Sequence, residues 1–206
     1  MLLWYQEYYR FDVVLVVRVQ HLGVTNRPAS RRRVAGDVVA ALRALRPKSI
    51  ENGRDMGFSC LRIISDDPAW TPEPPIAERL AAAARDMFAW RSEQVSVRDR
   101  GEVVFVDPGE LFEEIRCPNS GSVIDIGWWK SRMSEAYANG FTDLRVQAPC
   151  CGPETSLNDL DYRPAAGFAR FIIEVRNLEY EYAQEEEMAE LSAMAGRPLR
   201  QIAAHY

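Results

Sequence analysis

The chain has 206 residues, 47% of them hydrophobic, which is enough to bury one ordinary core with an appendage and too few for two full domains. Its formal charge of −5 is unevenly spread: residues 1–55 carry +5 and residues 56–206 carry −10, so the larger part repels phosphates and argues against a nucleic-acid partner. The apolar run "VVLVV" at 13–17 lies between Asp12 and Arg18 and falls far short of the ~20 residues that cross a bilayer, so no membrane partner is expected.

A secretory leader needs an unbroken apolar stretch, whereas "MLLWYQEYYRFD" introduces Glu7, Arg10 and Asp12; the expectation is a cytoplasmic protein. Four cysteines, with Cys150 and Cys151 adjacent, do not make a secreted disulfide framework, and reduced thiols follow. The first 55 residues string together an aromatic opening, a strand-like "FDVVLVVRV", a basic "RPASRRR" and a helix-like "VAGDVVAALRALRP" that build toward no common core. Arginine outnumbers lysine 23 to 2, the mark of a GC-rich coding sequence in which upstream DNA stays open in frame by chance. Residues 1–55 are therefore read as a poorly defined extension, with translation starting at Met56 and residues 56–206 forming a single α+β domain. The alternative is that Arg31–Arg33 form a basic arm for RNA or membrane.

From Met56 onward, residues 58–65 read as a strand leading into a loop with Pro68, Pro72, Pro74 and Pro75. Ile76, Leu80, Ala84, Met87 and Phe88 then form a helical stripe, with Pro75 suited to the first turn. Short strands are expected at about 94–98 and 102–106, followed by a type II turn in "DPGE" with Gly109 at positive φ. "WWKSRMSEAYANG" predicts a helix whose apolar face is Trp129, Met133, Ala136 and Tyr137, stopped by Gly140. In "TDLRVQA" the alternation of Leu144, Val146 and Ala148 with charged neighbours predicts a strand with one wet face, which favours antiparallel pairing. "GFARFIIEVRN" is the longest later strand, and a helix from about Gln184 places Met188, Leu191 and Ala195 inward before Gly196 and Pro198 end it. Leu199, Ile202 and Tyr206 fall at helical spacing. The class expected is α+β: an antiparallel or mixed sheet, about three packed helices and a pair of hairpins resembling degenerate zinc knuckles.

Those hairpins are the chemically distinctive feature. Zinc ribbons use two C-P-x-C-G turns, because each turn aims two thiolates at one ion and two turns complete a tetrahedron. Here the first turn is Cys117, Pro118, Asn119, Ser120, Gly121 and the second, aligned on proline and glycine, is Ala148, Pro149, Cys150, Cys151, Gly152. Only one ligand position in each is cysteine, a serine hydroxyl resists deprotonation, and Cys150 joins only if the turn bends. The retained proline and glycine point to hairpins that serve the fold without metal. The alternatives are a zinc site of Cys117, Cys150 and Cys151 completed by His205 or water, and redox-active thiols.

"FVDPGELFEEIRCPNSG", "WWKSRMSEAYANGFTDLRVQAPCCGPETSLNDLDY", "PAAGFARFIIEVRN" and "GRPLRQIAAHY" resemble an uncharacterised family of bacterial proteins with C-P-x-C-G and P-C-C-G elements and an SLNDLxY segment. The resemblance spans residues 58–206 and departs from the pattern at Ser120; it implies no activity.

Function is read from the remaining side chains. An acidic surface with exposed tryptophan suits a basic protein partner, and Trp128, off the apolar stripe, with Tyr162 and the polar turn residues Asn158 and Asp159, are the candidate binding residues. In "SLNDLDY", Asn158, Asp159 and Asp161 are expected in a solvated turn, with cation binding as the lesser reading. The alternative function is a thiol-dependent or weakly zinc-dependent enzyme using Cys150 and Cys151, with His205 the base available outside the extension.

Overall fold

The sheet is built around "GFARFIIEVR", whose side chains are buried at seven of ten positions, the pattern of a strand flanked on both edges and covered on both faces. The structure, a computed structural model, describes residues 57–206; the N-terminal extension, the expected start at Met56 and the Arg31–Arg33 arm lie outside the described residues. Strands β1 (Ser59–Ser65), β2 (Gln94–Val106), β7 (Gly167–Arg176) and β8 (Leu199–His205) form an antiparallel sheet in the order β2–β7–β1–β8. Two ribbons stand apart from it: β3 (Glu114–Arg116) pairs with β6 (Asp161–Arg163), and β4 (Arg145–Gln147) with β5 (Glu154–Ser156). Three α-helices among the described residues complete an α+β fold: α1 (Pro74–Phe88), α2 (Ile126–Ala138) and α3 (Glu185–Ala195).

One face of the sheet carries Leu61, Ile63, Ile173 and Val175, and against it α1 lays Leu80, Ala84 and Phe88 while α3 lays Leu191 and Ala195. The helices start and stop for local reasons. Prolines occupy the first turn of α1, where a missing N–H costs no hydrogen bond. Asp125 caps α2 by accepting from the Trp128 amide. Gln184 and Glu187 form a reciprocal capping box on α3, three glutamates sit in its first turn against the helix dipole, and Gly196 at φ +70° closes it.

The opposite face carries Ile64, Val106, Ile172 and Ile202. Beyond them a cleft of about 190 Å3 opens between Arg62, Arg98, Arg100, Asp107 and Glu174. Where β2 ends and β7 begins, Phe105 and Phe168 meet Trp129 of α2, Tyr162 of β6, Phe112 and Phe141, with ring centroids 5.1–6.3 Å apart. This aromatic cluster fastens the ribbons and α2 to the sheet.

Several elements differ from the sequence reading. The two strands expected near 94–98 and 102–106 are one 13-residue strand, β2, whose register against β7 shifts between Asp99 and Val104; Gly101 at φ +79° takes up the irregularity. Residues 199–205 are a strand, not a helix. After Gly196 and Pro198 the chain reverses beside the open edge of β1, and seven residues are too short for a self-supporting helix. Tyr137 is 42% exposed and lies off the buried stripe of Trp129, Met133 and Ala136. The "TDLRVQA" alternation holds, but β4 is only three residues long and pairs with β5 rather than joining the main sheet. In "DPGE" Gly109 has the expected positive φ of 65°, yet the Glu110 amide donates to His205 O at 3.0 Å instead of closing the turn on Asp107.

Candidate functional site

The "CPNSG" segment continues β3 into a hairpin. The Cys117 amide donates to Ser122 O and the Gly121 amide to Cys117 O, both at 2.9 Å, and Arg116 bridges to Val123 across the turn. Gly121 at φ +70° supplies the left-handed residue that such a turn needs. "APCCG" is the tip of the β4–β5 hairpin, closed by the Cys151 amide to Ala148 O at 3.4 Å and by the Gln147 side-chain amide to Gly152 O at 2.6 Å.

The two tips face each other. Cys117 Sγ lies 3.4 Å from Cys151 Sγ, and Ser120 Oγ lies 3.2 Å from Cys150 Sγ. The sulfurs of Cys117, Cys150 and Cys151 all fall within 4.8 Å of one another. Cys150 therefore does join its neighbours, although its position in the turn template is not a ligand position. Cys117 is buried, Cys151 half-buried and Cys150 exposed, so the cluster is open on one side.

The tip amides set the chemistry of these thiols. A hydrogen bond from Ser120, with backbone N–H groups of Ser120 and Asn119, pulls the Cys117 thiol down to about 6 against the opposing effect of burial. The hydrogen bond with Cys117, reinforced by burial, pushes Cys151 up to about 11. The surroundings thus drive the two thiols apart, Cys117 down and Cys151 up. His205, exposed near the end of β8, is not part of the cluster.

The other expected site residues separate. Tyr162 is buried; its hydroxyl accepts from Trp129 Nε1 at 3.1 Å and donates to Leu157 O at 2.8 Å. Asn158 is 5% exposed rather than solvated: its amide donates to Asp66 O, and its oxygen accepts from the Phe168 amide and from Arg200. Both side chains are thus buried and bonded within the fold, and Ser156 caps the turn that holds Asn158. Asp159 is exposed and Trp128 half-buried beside the Asp125 cap.

A different surface gathers aromatic and acidic side chains. Trp90 is 74% exposed, Tyr180 56% and Tyr182 44%. The Glu179 amide donates to Arg91 O at 2.9 Å, which sets 179–182 beside the turn that bears Trp90. The Arg91 guanidinium lies 5.4 Å from the Trp90 ring centroid and pairs with Glu187 of α3. Glu179, Glu181, Glu185 and Glu186, in the segment that carries the two tyrosines and in the start of α3, are exposed. The sequence signal was there in "NLEYEYAQEEE", where tyrosine alternates with glutamate beyond the last residue of β7.

An α+β sheet with a thiol-bearing hairpin pair at one end and an acidic aromatic surface elsewhere is thus the class defined by fold and site. Comparison with protein-family models, with curated proteins and with solved structures finds no match to the chain.

Proposed function

We propose that this protein is a protein-binding module that takes a basic, extended peptide segment of a partner on the surface formed by Trp90, Tyr180 and Tyr182. The observation that carries this reading is the exposure of three aromatic rings, two of them in a glutamate-rich segment held beside the third by the hydrogen bond from the Glu179 amide to Arg91 O. Large aromatics bring contact area at low entropic cost and are enriched among residues that dominate binding energy. Glu179, Glu181, Glu185 and Glu186 supply the complementary field for Lys or Arg on the partner and repel acidic competitors. The net −10 of residues 56–206 adds long-range steering.

The experiment is a fluorescence-anisotropy titration of the full chain with a labelled peptide alternating Arg with Leu, and with its Glu-for-Arg counterpart. Saturable binding of the basic peptide is expected, weakened by salt and by at least about tenfold in a Trp90→Ala/Tyr180→Ala double variant, which corresponds to ~1.4 kcal/mol. Equal binding of the acidic peptide, or an unchanged affinity in the double variant, rejects the proposal. Trp128→Ala serves as the comparison surface.

The alternative of a thiol-dependent enzyme draws on the exposure of Cys150 within the cysteine cluster. It is the weaker reading, because a thiol nucleophile needs a base in reach and His205 stands outside that cluster.

A further inference from the structure

The peptide-binding proposal leaves the two hairpin tips without a task. We propose that Cys117, Cys150 and Cys151, with the Ser120 hydroxyl at the fourth corner, form a zinc site that ties the tip of the β3 hairpin to the tip of the β4–β5 hairpin.

The geometry carries this. With the three sulfurs all within 4.8 Å of one another, some point lies within about 2.8 Å of each of them, close to the ~2.3 Å of a Zn–S bond. Tetrahedral zinc with such bonds separates two sulfurs by about 3.8 Å and a sulfur from an oxygen by about 3.5 Å. Cys117 Sγ and Cys151 Sγ are 3.4 Å apart, and Ser120 Oγ and Cys150 Sγ 3.2 Å. Both observed edges are a few tenths of an ångström short, so the donors need only spread slightly to admit the ion.

The donors also come from the right places. Each hairpin contributes two, Cys117 and Ser120 from one tip and Cys150 and Cys151 from the other, so the ion would cross-link segments some thirty residues apart in sequence. A soft three-sulfur set with one oxygen suits zinc rather than magnesium or calcium, which take oxygen ligands. Each ligating thiol releases its proton to solvent. Because Cys150 is exposed and the fourth donor is a hydroxyl, the site should exchange its metal more readily than a four-cysteine knuckle.

The test is a cobalt(II) titration of the reduced, untagged full chain, followed by displacement with zinc. One cobalt per chain is expected, with tetrahedral visible bands and a sulfur-to-cobalt charge-transfer band of three-thiolate intensity that zinc abolishes. Cys150→Ser should remove about a third of that band and weaken metal binding on the order of a hundredfold, one ligand's share of a structural site. Ser120→Cys should raise the band by about a third and tighten binding by a similar factor. That variant adds a donor without taking one away, so it remains informative if a cysteine variant fails to fold. Absence of tetrahedral bands, an unchanged band in Cys150→Ser, or no added intensity in Ser120→Cys would each overturn the proposal. Peptide binding at the Trp90 surface is read separately, so neither result decides the other.

Discussion

Replacing Asn158 with alanine separates a strut from a binding residue. In the structure its side chain joins three elements: Nδ2 donates to Asp66 O at 2.9 Å after β1, while Oδ1 accepts from the Phe168 amide at 3.0 Å on β7 and from Arg200 on β8. Phe168 is fully buried, so its amide would lose its partner where water cannot replace it, at a cost of about 1–3 kcal/mol. The Asp66 carbonyl and the Arg200 guanidinium are nearer to solvent and add about 0.5–1.5 kcal/mol each. The expected loss for Asn158→Ala is therefore about 2–6 kcal/mol, read as a lower urea midpoint at unchanged slope. Asp159→Ala, one residue on and exposed, should stay within about 0.5 kcal/mol of the parent. If Asn158→Ala costs under about 1 kcal/mol while Asp159→Ala costs as much, the strut assignment is wrong and the segment is free to bind.

Gly109→Ala would place a methyl carbon 2.0 Å from His205 O and force alanine to φ +65°; a loss above about 2 kcal/mol is expected, or ~4–8 °C in Tm by calorimetry. Burial, with the Asp107 carboxylate adding to it, pushes Tyr206 up to about 12 from an ordinary 10.0, against the pull of Arg62. Its folded pKa is raised, so its contribution is complete below pH 10 and lost as pH rises toward 12, by up to about 3 kcal/mol; urea midpoints across that window should flatten in Tyr206→Phe, and an equally steep fall in the variant would refute the assignment. Asp99 is held down at about 2 by the Arg170 guanidinium, so its modest contribution is present above pH 4 and lost as pH falls through 2; the pair is exposed enough that Asp99→Asn should cost under about 1 kcal/mol at pH 7. Trp90→Ala should leave stability within about 1 kcal/mol by urea unfolding, since it removes an exposed ring and one cation–π contact with Arg91.

The strands and helices that could be read from the sequence are those whose apolar spacing agrees with their punctuation. In α1 the stripe of Leu80, Ala84 and Phe88 coincides with prolines at the start, and in α3 Leu191 and Ala195 coincide with Gly196. β8 could not be read in the same way. Its buried residues, Ile202, Ala203 and Ala204, are consecutive, so they carry neither period, and pairing with the edge of β1 some 140 residues away decides their conformation. The site divides likewise. Proline and glycine announce both hairpin turns, but whether Cys150 reaches the other thiols depends on how two turns from distant segments face each other. Asn158 is of a type that usually faces water and Tyr162 of one that divides between core and surface, and their burial follows from the partners that they meet. Trp90 carries the opposite disguise, an apolar residue at the end of an amphipathic helix that the following 3-10 turn rotates outward.

The hairpin tips differ in kind from the sheet that they adjoin. β1 and β7 are each paired along both edges, whereas β3–β6 and β4–β5 hold only three residue pairs apiece, too little for ribbons of that size to persist alone in water. The β3–β6 ribbon has the aromatic cluster behind it, through Tyr162 and Phe112 against Phe105 and Trp129. The β4–β5 ribbon relies on its neighbours in sequence: Leu157 N–H to Leu144 O at its base, then Asn158 anchored to the sheet. At the tips the ribbons meet through a sulfur–sulfur and a hydroxyl–sulfur contact, interactions that are individually weak. A metal–thiolate bond set at that point would supply stiffness where hydrogen bonding supplies least, and its loss would loosen the tips before the sheet. The Trp90 surface lies on the turn after α1 and beside α3, helices whose Leu80, Ala84, Phe88, Leu191 and Ala195 are packed into the sheet's core, so it has the stiffness that the tips lack.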